Sequence, residues 1–156
     1  MDKNSIIKTF EPRKDNMLNI LHALQNNNPQ NYLTSEDLKL VANYLNVTYS
    51  SVYGVAKYYS MLSLKPRGKY IIRVCKSPVC HMIGNKKIFD EIKDSLHISP
   101  GETSEDLMFT VEKAECLGQC DKAPSLMIND KIFVDLDKEK IKDILQTIHF
   151  NEHKTK

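Results

Sequence analysis

Apolar residues recur at helical spacing through the first 65 residues of the chain. Three faces follow the helical period: Met17, Ile20, Leu21 and Leu24; Leu38, Val41, Ala42 and Leu45; and Val52, Val55, Ala56 and Tyr59. They predict three helices, of which the first ends at residues 26–29 and the third spans Ser50 to Met61. Thr34 is expected to cap the second helix, because Asp37 three residues later forms a variant of the capping box. The tyrosines around the third helix are expected to be partly buried packing residues.

The rest of the chain mixes strand and helix patterns. Their order is a strand at 69–74, a helix at 84–97, a strand at 107–112, a hairpin around Asn129-Asp130 and a final helix with Ile141, Ile144, Leu145 and Ile148 on one face. Lys65-Pro66-Arg67-Gly68 separates this part from the helical one. We therefore expect an α+β protein with a helical domain at 1–65, a mixed domain at 66–150 and a frayed tail at 151–156.

The composition excludes several classes of protein. Hydrophobic residues make up 41% of the chain and charged residues 27%, as in a soluble globular protein. No apolar run suggests a secretory signal or membrane insertion, so the expected location is cytoplasmic. A net charge of +2 without a basic patch argues against nucleic-acid binding. The five glycines are too widely separated for a G-x-G-x-x-G motif or a P-loop, so another subunit would bind any nucleotide.

Four cysteines carry the most informative pattern. They form two pairs, Cys75 with Cys80 and Cys116 with Cys120, and each pair follows the end of a predicted strand. Strands joined through a helix run parallel, so their carboxyl ends lie at the same edge of the sheet. The fold therefore brings both pairs to one four-thiolate site.

Three uses of such a site compete. Disulfides rank last, because the chain reads as cytoplasmic and its core needs no staples. Structural zinc stays open, although zinc sites usually use Cys-x2-Cys spacing in small ribbons. An iron-sulfur cluster is favoured, because Gly118 permits a tight loop with positive φ whose N–H groups approach sulfur. His81 is a candidate neighbour rather than a ligand, since four cysteines are already present.

Two further segments resemble a known family. Val52-Tyr53-Gly54-Val55-Ala56-Lys57-Tyr58-Tyr59-Ser60 is similar to a V-Y-G-V-A-x-F-Y-S segment, and Glu115-Cys116-Leu117-Gly118-Gln119-Cys120 precedes Ala123-Pro124 and Met127-Ile128-Asn129. With Cys75 and Cys80, these residues resemble the thioredoxin-like 2Fe-2S ferredoxin subunit of NADH dehydrogenase (complex I). NAD(P)-linked and electron-bifurcating hydrogenases and formate dehydrogenases share this subunit. The resemblance runs over most of the chain.

The resemblance implies an N-terminal helical bundle followed along the chain by a thioredoxin-like α/β domain with a four-stranded mixed sheet. Cys75 and Cys80 would ligate one iron of a single 2Fe-2S cluster, and Cys116 and Cys120 the other. The chain would carry electrons without catalytic residues of its own. Its helical domain would dock on a flavoprotein subunit that holds FMN and NAD(H), beside further iron-sulfur or hydrogenase subunits. Flavin accepts a hydride and clusters take single electrons, so this division is chemically sensible.

Some residues depart from the family pattern. Ile83 stands where an arginine often precedes the glycine, Gln119 where a small residue is common, and Phe133 where tyrosine is frequent.

Two other functions stay open at this point. Residues 34–59 resemble a helix-turn-helix, which would suit an iron-sulfur DNA-binding regulator, but only Lys57 is basic in the recognition position. A zinc-stabilised assembly module is the other.

Overall fold

The computed structural model of the chain describes residues 2–154. It contains two compact units, Met1–Lys69 and Tyr70–Lys156, each with its own hydrophobic core. The elements are α1 (Lys3–Ile7), α2 (Met17–Asn27), α3 (Ser35–Tyr44), α4 (Tyr49–Tyr58), β1 (Tyr70–Cys75), α5 (Pro78–Cys80), α6 (Lys86–Leu96), β2 (Phe109–Ala114), β3 (Leu126–Ile128), β4 (Lys131–Phe133) and α7 (Lys138–Lys154). None of the helices within residues 2–154 combines the length and apolar character needed to cross a bilayer.

The first unit is helical, and the apolar faces predicted for α2, α3 and α4 line its core, except that Tyr59 lies beyond the end of α4 and is exposed. Ile20, Val41 and Val52 are fully buried there. The helix α1 was not predicted from the sequence, because five residues are too few for a periodic signal. The third predicted helix, α4, ends at Tyr58 rather than at Met61.

The start of α3 confirms the predicted capping box. The Asp37 N–H donates to Thr34 Oγ1 at 3.2 Å, and the Thr34 N–H donates to Asp37 Oδ2 at 2.8 Å. The buried Asp37 side chain also pairs with Lys3 on α1, with Nζ 2.8 Å from Oδ1. One carboxylate therefore satisfies the helix end and joins α1 to α3.

The tyrosines around α4 differ from their predicted packing role. Tyr58 is 82% exposed, and Tyr49 and Tyr53 stack on each other on the exposed side with ring centroids 6.1 Å apart. The core-facing side of α4 is already filled by Val52 and Ala56. The tyrosines therefore remain outside the core.

A buried glutamine fixes the segment that follows α4. Gln25 Nε2 donates to the Met61 carbonyl at 3.0 Å, and the Ser63 N–H donates to Gln25 Oε1 at 2.7 Å. Both ends of the amide are thus satisfied by the backbone. The exposed Met61 consequently stands on an ordered turn.

The second unit is built on a four-stranded mixed sheet with the order β2-β1-β3-β4, as expected for the α+β class. β1 and β2 are parallel, with Tyr70 opposite Phe109 and Cys75 opposite Ala114. β3 is antiparallel to both β1 and β4. β2 begins at Phe109 rather than 107, because Leu107 has a positive φ of 56° in the turn before it.

Hairpin and helices complete this unit much as predicted. Asn129 turns the hairpin with a φ of 51°, and its Oδ1 accepts the Ile71 N–H at 2.9 Å. α6 and α7 bury Ile92 and Ile141 against the sheet. α7 stays helical to Lys154, past the start of the predicted frayed tail, because no glycine or proline interrupts it. Residues 155 and 156 lie outside the described residues.

Asp37 makes the first unit sensitive to acid. Burial alone would raise the pKa of this carboxyl, but Lys3 and Thr34 more than offset it and hold the pKa below its usual range. The stabilisation is therefore present above the unfolded pKa of about 3.9 and lost as the pH falls through the lower folded value. We expect Asp37→Asn to reduce the free energy of unfolding by about 2 kcal/mol at neutral pH and to flatten its fall in acid. Denaturant unfolding followed by circular dichroism at several pH values measures both.

Glu11→Gln provides the control for this prediction. The Glu11 side chain is 75% exposed and pairs only loosely with Arg13, at 3.6 Å. Its removal should leave the stability within about 0.5 kcal/mol of the unaltered chain. An Asp37→Asn protein as stable as the Glu11→Gln protein at neutral pH would contradict the role given to Asp37.

Candidate metal centre

The four cysteines lie where the parallel strands end. Cys75 is the last residue of β1 and Cys80 the last of α5, while Cys116 and Cys120 flank the loop after β2. Because Cys75 is paired with Ala114 in the parallel register, both loops leave the sheet at one edge. Charge on Cys75, Cys80 and Cys116 influences the Cys120 thiol, so the two pairs are also close electrostatically. The structure thus brings the pairs together as the sequence predicted.

Cys116 and Cys120 form the exposed pair. Their sulfur atoms are 3.8 Å apart, and the Gly118 N–H donates to Cys116 Sγ at 3.4 Å. Two sulfurs bound about 2.3 Å from one tetrahedral metal would be about 3.8 Å apart. Gly118 has a φ of 76°, which confirms the predicted left-handed position. The loop therefore already holds this pair at the spacing of two ligands on one metal.

Cys75 and Cys80 form the buried pair. Burial by itself would raise the pKa of Cys75, but donors from the Ser77 hydroxyl and from the backbone N–H groups of Ser77 and Leu117 bring this pKa below its usual range. The Leu117 N–H belongs to the other cysteine loop, so both loops contribute to lowering the pKa of Cys75. Cys75 is accordingly the thiol that its surroundings favour as a thiolate.

The pKa values of the Cys80 and Cys120 thiols are raised, in the opposite direction to that of Cys75. Burial, followed by the neighbouring Cys75 sulfur, raises the pKa of Cys80. The Cys116 thiol raises the pKa of the exposed Cys120 through their direct contact. Each pair thus resists carrying two negative charges without a cation, which is the expected behaviour of closely spaced ligand thiols.

A short π-helical segment, His81–Asn85, continues the first cysteine loop. Gly84 has a φ of 131°, a conformation that side chains disfavour, and it lets the chain turn into α6. The turn places Asn85 in the interior, where its Nδ2 donates to the Cys75 carbonyl at 2.7 Å. Asn85 therefore fixes the carboxyl end of β1 through the Cys75 carbonyl.

Three buried side-chain atoms around this edge have no hydrogen-bond partner. They are Ser77 Oγ, Asn85 Oδ1 and Ser125 Oγ. The Ser77 hydroxyl acts to lower the pKa of both Cys75 and Cys80, although it makes no hydrogen bond of normal geometry. Unpaired buried hydroxyls are costly, and a negatively charged sulfur beside the thiols would accept from this one. The residues therefore fit a sulfur-rich group with all-cysteine ligation.

Two of the basic residues near the cysteines form ion pairs with glutamate side chains. Arg73 Nε is 3.2 Å from Glu112 Oε2, and Lys76 Nζ is 2.7 Å from Glu115 Oε1. Lys76 and Glu115 follow the two strands and so bridge the two cysteine loops. The lysines that follow the two cysteine pairs in sequence, Lys86, Lys87 and Lys122, are exposed, and so is His81.

Sequence reasoning found the cysteines but missed their polar neighbours. Ser77 carried a weak signal as a hydroxyl between two cysteines, whereas Asn85 and Ser125 carried none. Within the described part of the chain, no three His, Cys, Asp or Glu side chains are grouped around one point as for a single metal ion. The donors are arranged as two pairs instead.

Comparisons with known proteins agree with this geometry. The family model of the thioredoxin-like [2Fe-2S] ferredoxins matches residues 3–149, and the chain belongs to this family. It is 35% identical to an NADH-quinone oxidoreductase subunit of Rickettsia prowazekii, over 97% of this chain and 86% of that protein. It is 31% identical to the same-named protein of Mycobacterium bovis, over 95% of this chain but only 58% of the relative's length.

A solved structure shares the fold. It is an NAD+-reducing [NiFe]-hydrogenase in the air-oxidised state, matched with a TM-score of 0.76 and 21% identity over 87% of this chain and 23% of that one. The thioredoxin-like class that the family resemblance implied is confirmed by the family model. The relatives at 31% and 35% identity are named as subunits of NADH-quinone oxidoreductase, and the family takes its name from [2Fe-2S] ferredoxins.

The left-handed turn at Gly118 should be intolerant of a side chain. Gly118→Ala places a Cβ in a conformation with a φ of 76° and should lower the free energy of unfolding of the second unit by about 1 kcal/mol. Gly54→Ala is the opposite control, because Gly54 lies inside α4 with nothing within 4 Å of an added Cβ and should stabilise by a similar amount. Denaturant unfolding under reducing conditions measures both. A Gly118→Ala protein at least as stable as the unaltered chain would rule out the conformational requirement.

Proposed function

We propose that the chain holds one 2Fe-2S cluster on Cys75, Cys80, Cys116 and Cys120 and carries single electrons in a multisubunit NAD(P)H-oxidising complex. The observation that carries the proposal is the arrangement of the cysteines as two pairs at one sheet edge, with Cys116 and Cys120 sulfurs 3.8 Å apart. All four cysteines are free thiols. Membership of the ferredoxin family supports the choice of cluster over zinc.

Each pair would ligate one iron. In a 2Fe-2S cluster each iron takes two protein ligands, because the bridging sulfides complete its tetrahedral coordination. Cys75 and Cys80 form the buried pair, and Cys116 and Cys120 the exposed one. Two separate pairs of cysteines support two irons with two ligands each more directly than they support one zinc ion held by all four cysteines.

The surrounding residues would bind and shield the cluster. A 2Fe-2S cluster supplies reversible one-electron oxidation and reduction. The N–H groups of Leu117 and Gly118 point at ligand sulfurs and stabilise negative charge there. Burial of Cys75 and Cys80 excludes water from one side, while exposure of Cys116 and Cys120 leaves the other side open to an electron-transfer partner.

The partner would be a flavoprotein subunit that holds FMN and binds NAD(H). The relatives named as subunits of NADH-quinone oxidoreductase support a complex of that kind, and the separated glycines of this chain support nucleotide binding elsewhere. A respiratory NADH dehydrogenase agrees with these relatives, while hydrogenase and formate dehydrogenase complexes share the subunit type. In each, this chain would be the non-catalytic electron carrier.

The helical first unit would dock on that flavoprotein through α4 and the turn after it. Tyr53, Tyr58 and Met61 are 43%, 82% and 61% exposed, and Lys57 is the only charged residue between positions 40 and 64. Tyrosine and methionine are enriched and charge is depleted at the centres of protein interfaces. Gln25 holds the turn rigid, so little ordering is needed on binding. The same lack of charge disfavours the DNA-binding alternative.

Metal and sulfide analysis of anaerobically purified protein tests the cluster. We expect about two irons and two acid-labile sulfides per chain, with an EPR signal of spin one half after dithionite reduction. Cys116→Ser should lose most of this content while the circular dichroism of the helices is retained, because Cys116 is exposed and outside both cores. Zinc without sulfide, or an unchanged spectrum in Cys116→Ser, would refute the ligand assignment.

Removing the exposed apolar side chains tests the docking surface. Tyr58→Ser combined with Met61→Ser should weaken binding to the flavoprotein subunit at least tenfold, because exposed aromatic anchors dominate interface energies. Ile132→Ser is the matched control, since Ile132 is 42% exposed on β4 in the other unit. Co-purification and titration with the flavoprotein subunit measure binding. Equal affinity for both variants would mean that α4 does not form the interface.

A further inference from the structure

Ser77 occupies the N-cap position of α5 but does not act as a cap. Its φ and ψ of −61° and 151° are those of an N-cap residue, yet its side chain makes no capping hydrogen bond. An N-cap serine usually accepts a hydrogen bond from the first turn of its helix. The hydroxyl is therefore turned towards something other than the helix end.

The Ser77 hydroxyl is shielded from water, and no protein atom meets it in a hydrogen bond of normal geometry. Ser77 Oγ is buried and has no hydrogen-bond partner. It lies two residues after Cys75, the last residue of β1, and directly before α5, which ends at Cys80. A buried hydroxyl left unpaired costs about 1–3 kcal/mol, so this position is unfavourable unless a bound group accepts from it.

We propose that the Ser77 hydroxyl donates a hydrogen bond to sulfur at the Cys75–Cys80 end of the bound cluster and raises its reduction potential. This inference rests on the proposed 2Fe-2S cluster. Reduction adds negative charge to the sulfurs, so a donor aimed at them stabilises the reduced form more than the oxidised form. Ser77 is a positioning residue in this role, because its hydroxyl neither ligates iron nor accepts the electron.

Other donors at this edge differ from Ser77 in an important respect. The Leu117 and Gly118 donors are backbone N–H groups, which only a substitution by proline would remove, and that would also alter the loop backbone. Asn85 is satisfied on its Nδ2 by the Cys75 carbonyl and so supports the backbone. Ser77 is consequently the donor at the buried pair that truncation of a side chain deletes without changing the backbone.

The test uses the full chain, purified anaerobically, with iron and sulfide measured in every variant. We expect Ser77→Ala to retain the cluster and to lower its midpoint potential in an EPR-monitored titration. The ratio of reduced to oxidised cluster at the midpoint potential of the unaltered protein should fall about tenfold, equivalent to 59 mV for one electron. Ser95→Ala removes a hydroxyl that contacts Glu91 on α6, and it should leave the potential unchanged.

A second pair of variants covers the case in which Ser77→Ala loses the cluster. Ser77→Thr and Ser77→Val have nearly the same shape and differ in the hydroxyl, so the threonine protein should have the higher potential. Equal potentials in this pair would overturn the role of Ser77 and leave the cluster proposal standing. The same conclusion would follow if Ser77→Ala had the potential of the unaltered protein at equal iron and sulfide content. Zinc without sulfide in the unaltered protein would overturn the cluster proposal and this inference together.

Discussion

The parallel pairing of β1 with β2 is the constraint on which the metal centre depends. Cys75 is opposite Ala114 in that register, so the two cysteine loops leave the sheet at the same edge. A shift of one residue would turn each side chain to the other face of the sheet and separate the loops. The buried Ile72, Val74 and Val111 hold the register, because the same slip would expose them. The hydrophobic core thus positions the thiols before any metal binds.

Around that edge, burial and hydrogen bonding divide the site into two unequal halves. Cys75 and Cys80 are buried on either side of Ser77, whose hydroxyl is also buried, whereas Cys116 and Cys120 are exposed on a loop turned by Gly118. Low dielectric strengthens every donor on the enclosed side, and water screens charge on the open side. An electron carrier benefits from both, since one side stabilises charge and the other permits approach of a partner.

The helical unit contributes a different property. Its core is filled from α2, α3 and the inner face of α4, so the tyrosines on the outer face have no packing role in the unit itself. Gln25 then fixes the turn that carries Met61. Exposing an ordered, weakly charged and apolar surface to water is unfavourable, and burying it against another protein is favourable. This surface is consistent with a subunit rather than with an independent carrier.

By itself the sequence determined the helices with strong periodicity, the Thr34–Asp37 capping box, the strand-helix-strand order and the convergence of four cysteines, because these follow from local spacing and from chain connectivity. It misplaced the ends of α4 and β2 and the start of the C-terminal tail, since helix and strand ends depend on turns such as that at Leu107. Only the tertiary structure decided that Tyr58 is exposed, that Asn85 supports Cys75 and that the Ser77 hydroxyl is buried without a hydrogen-bond partner. These properties depend on which atoms of distant segments fill the space around a side chain, and no local pattern encodes that.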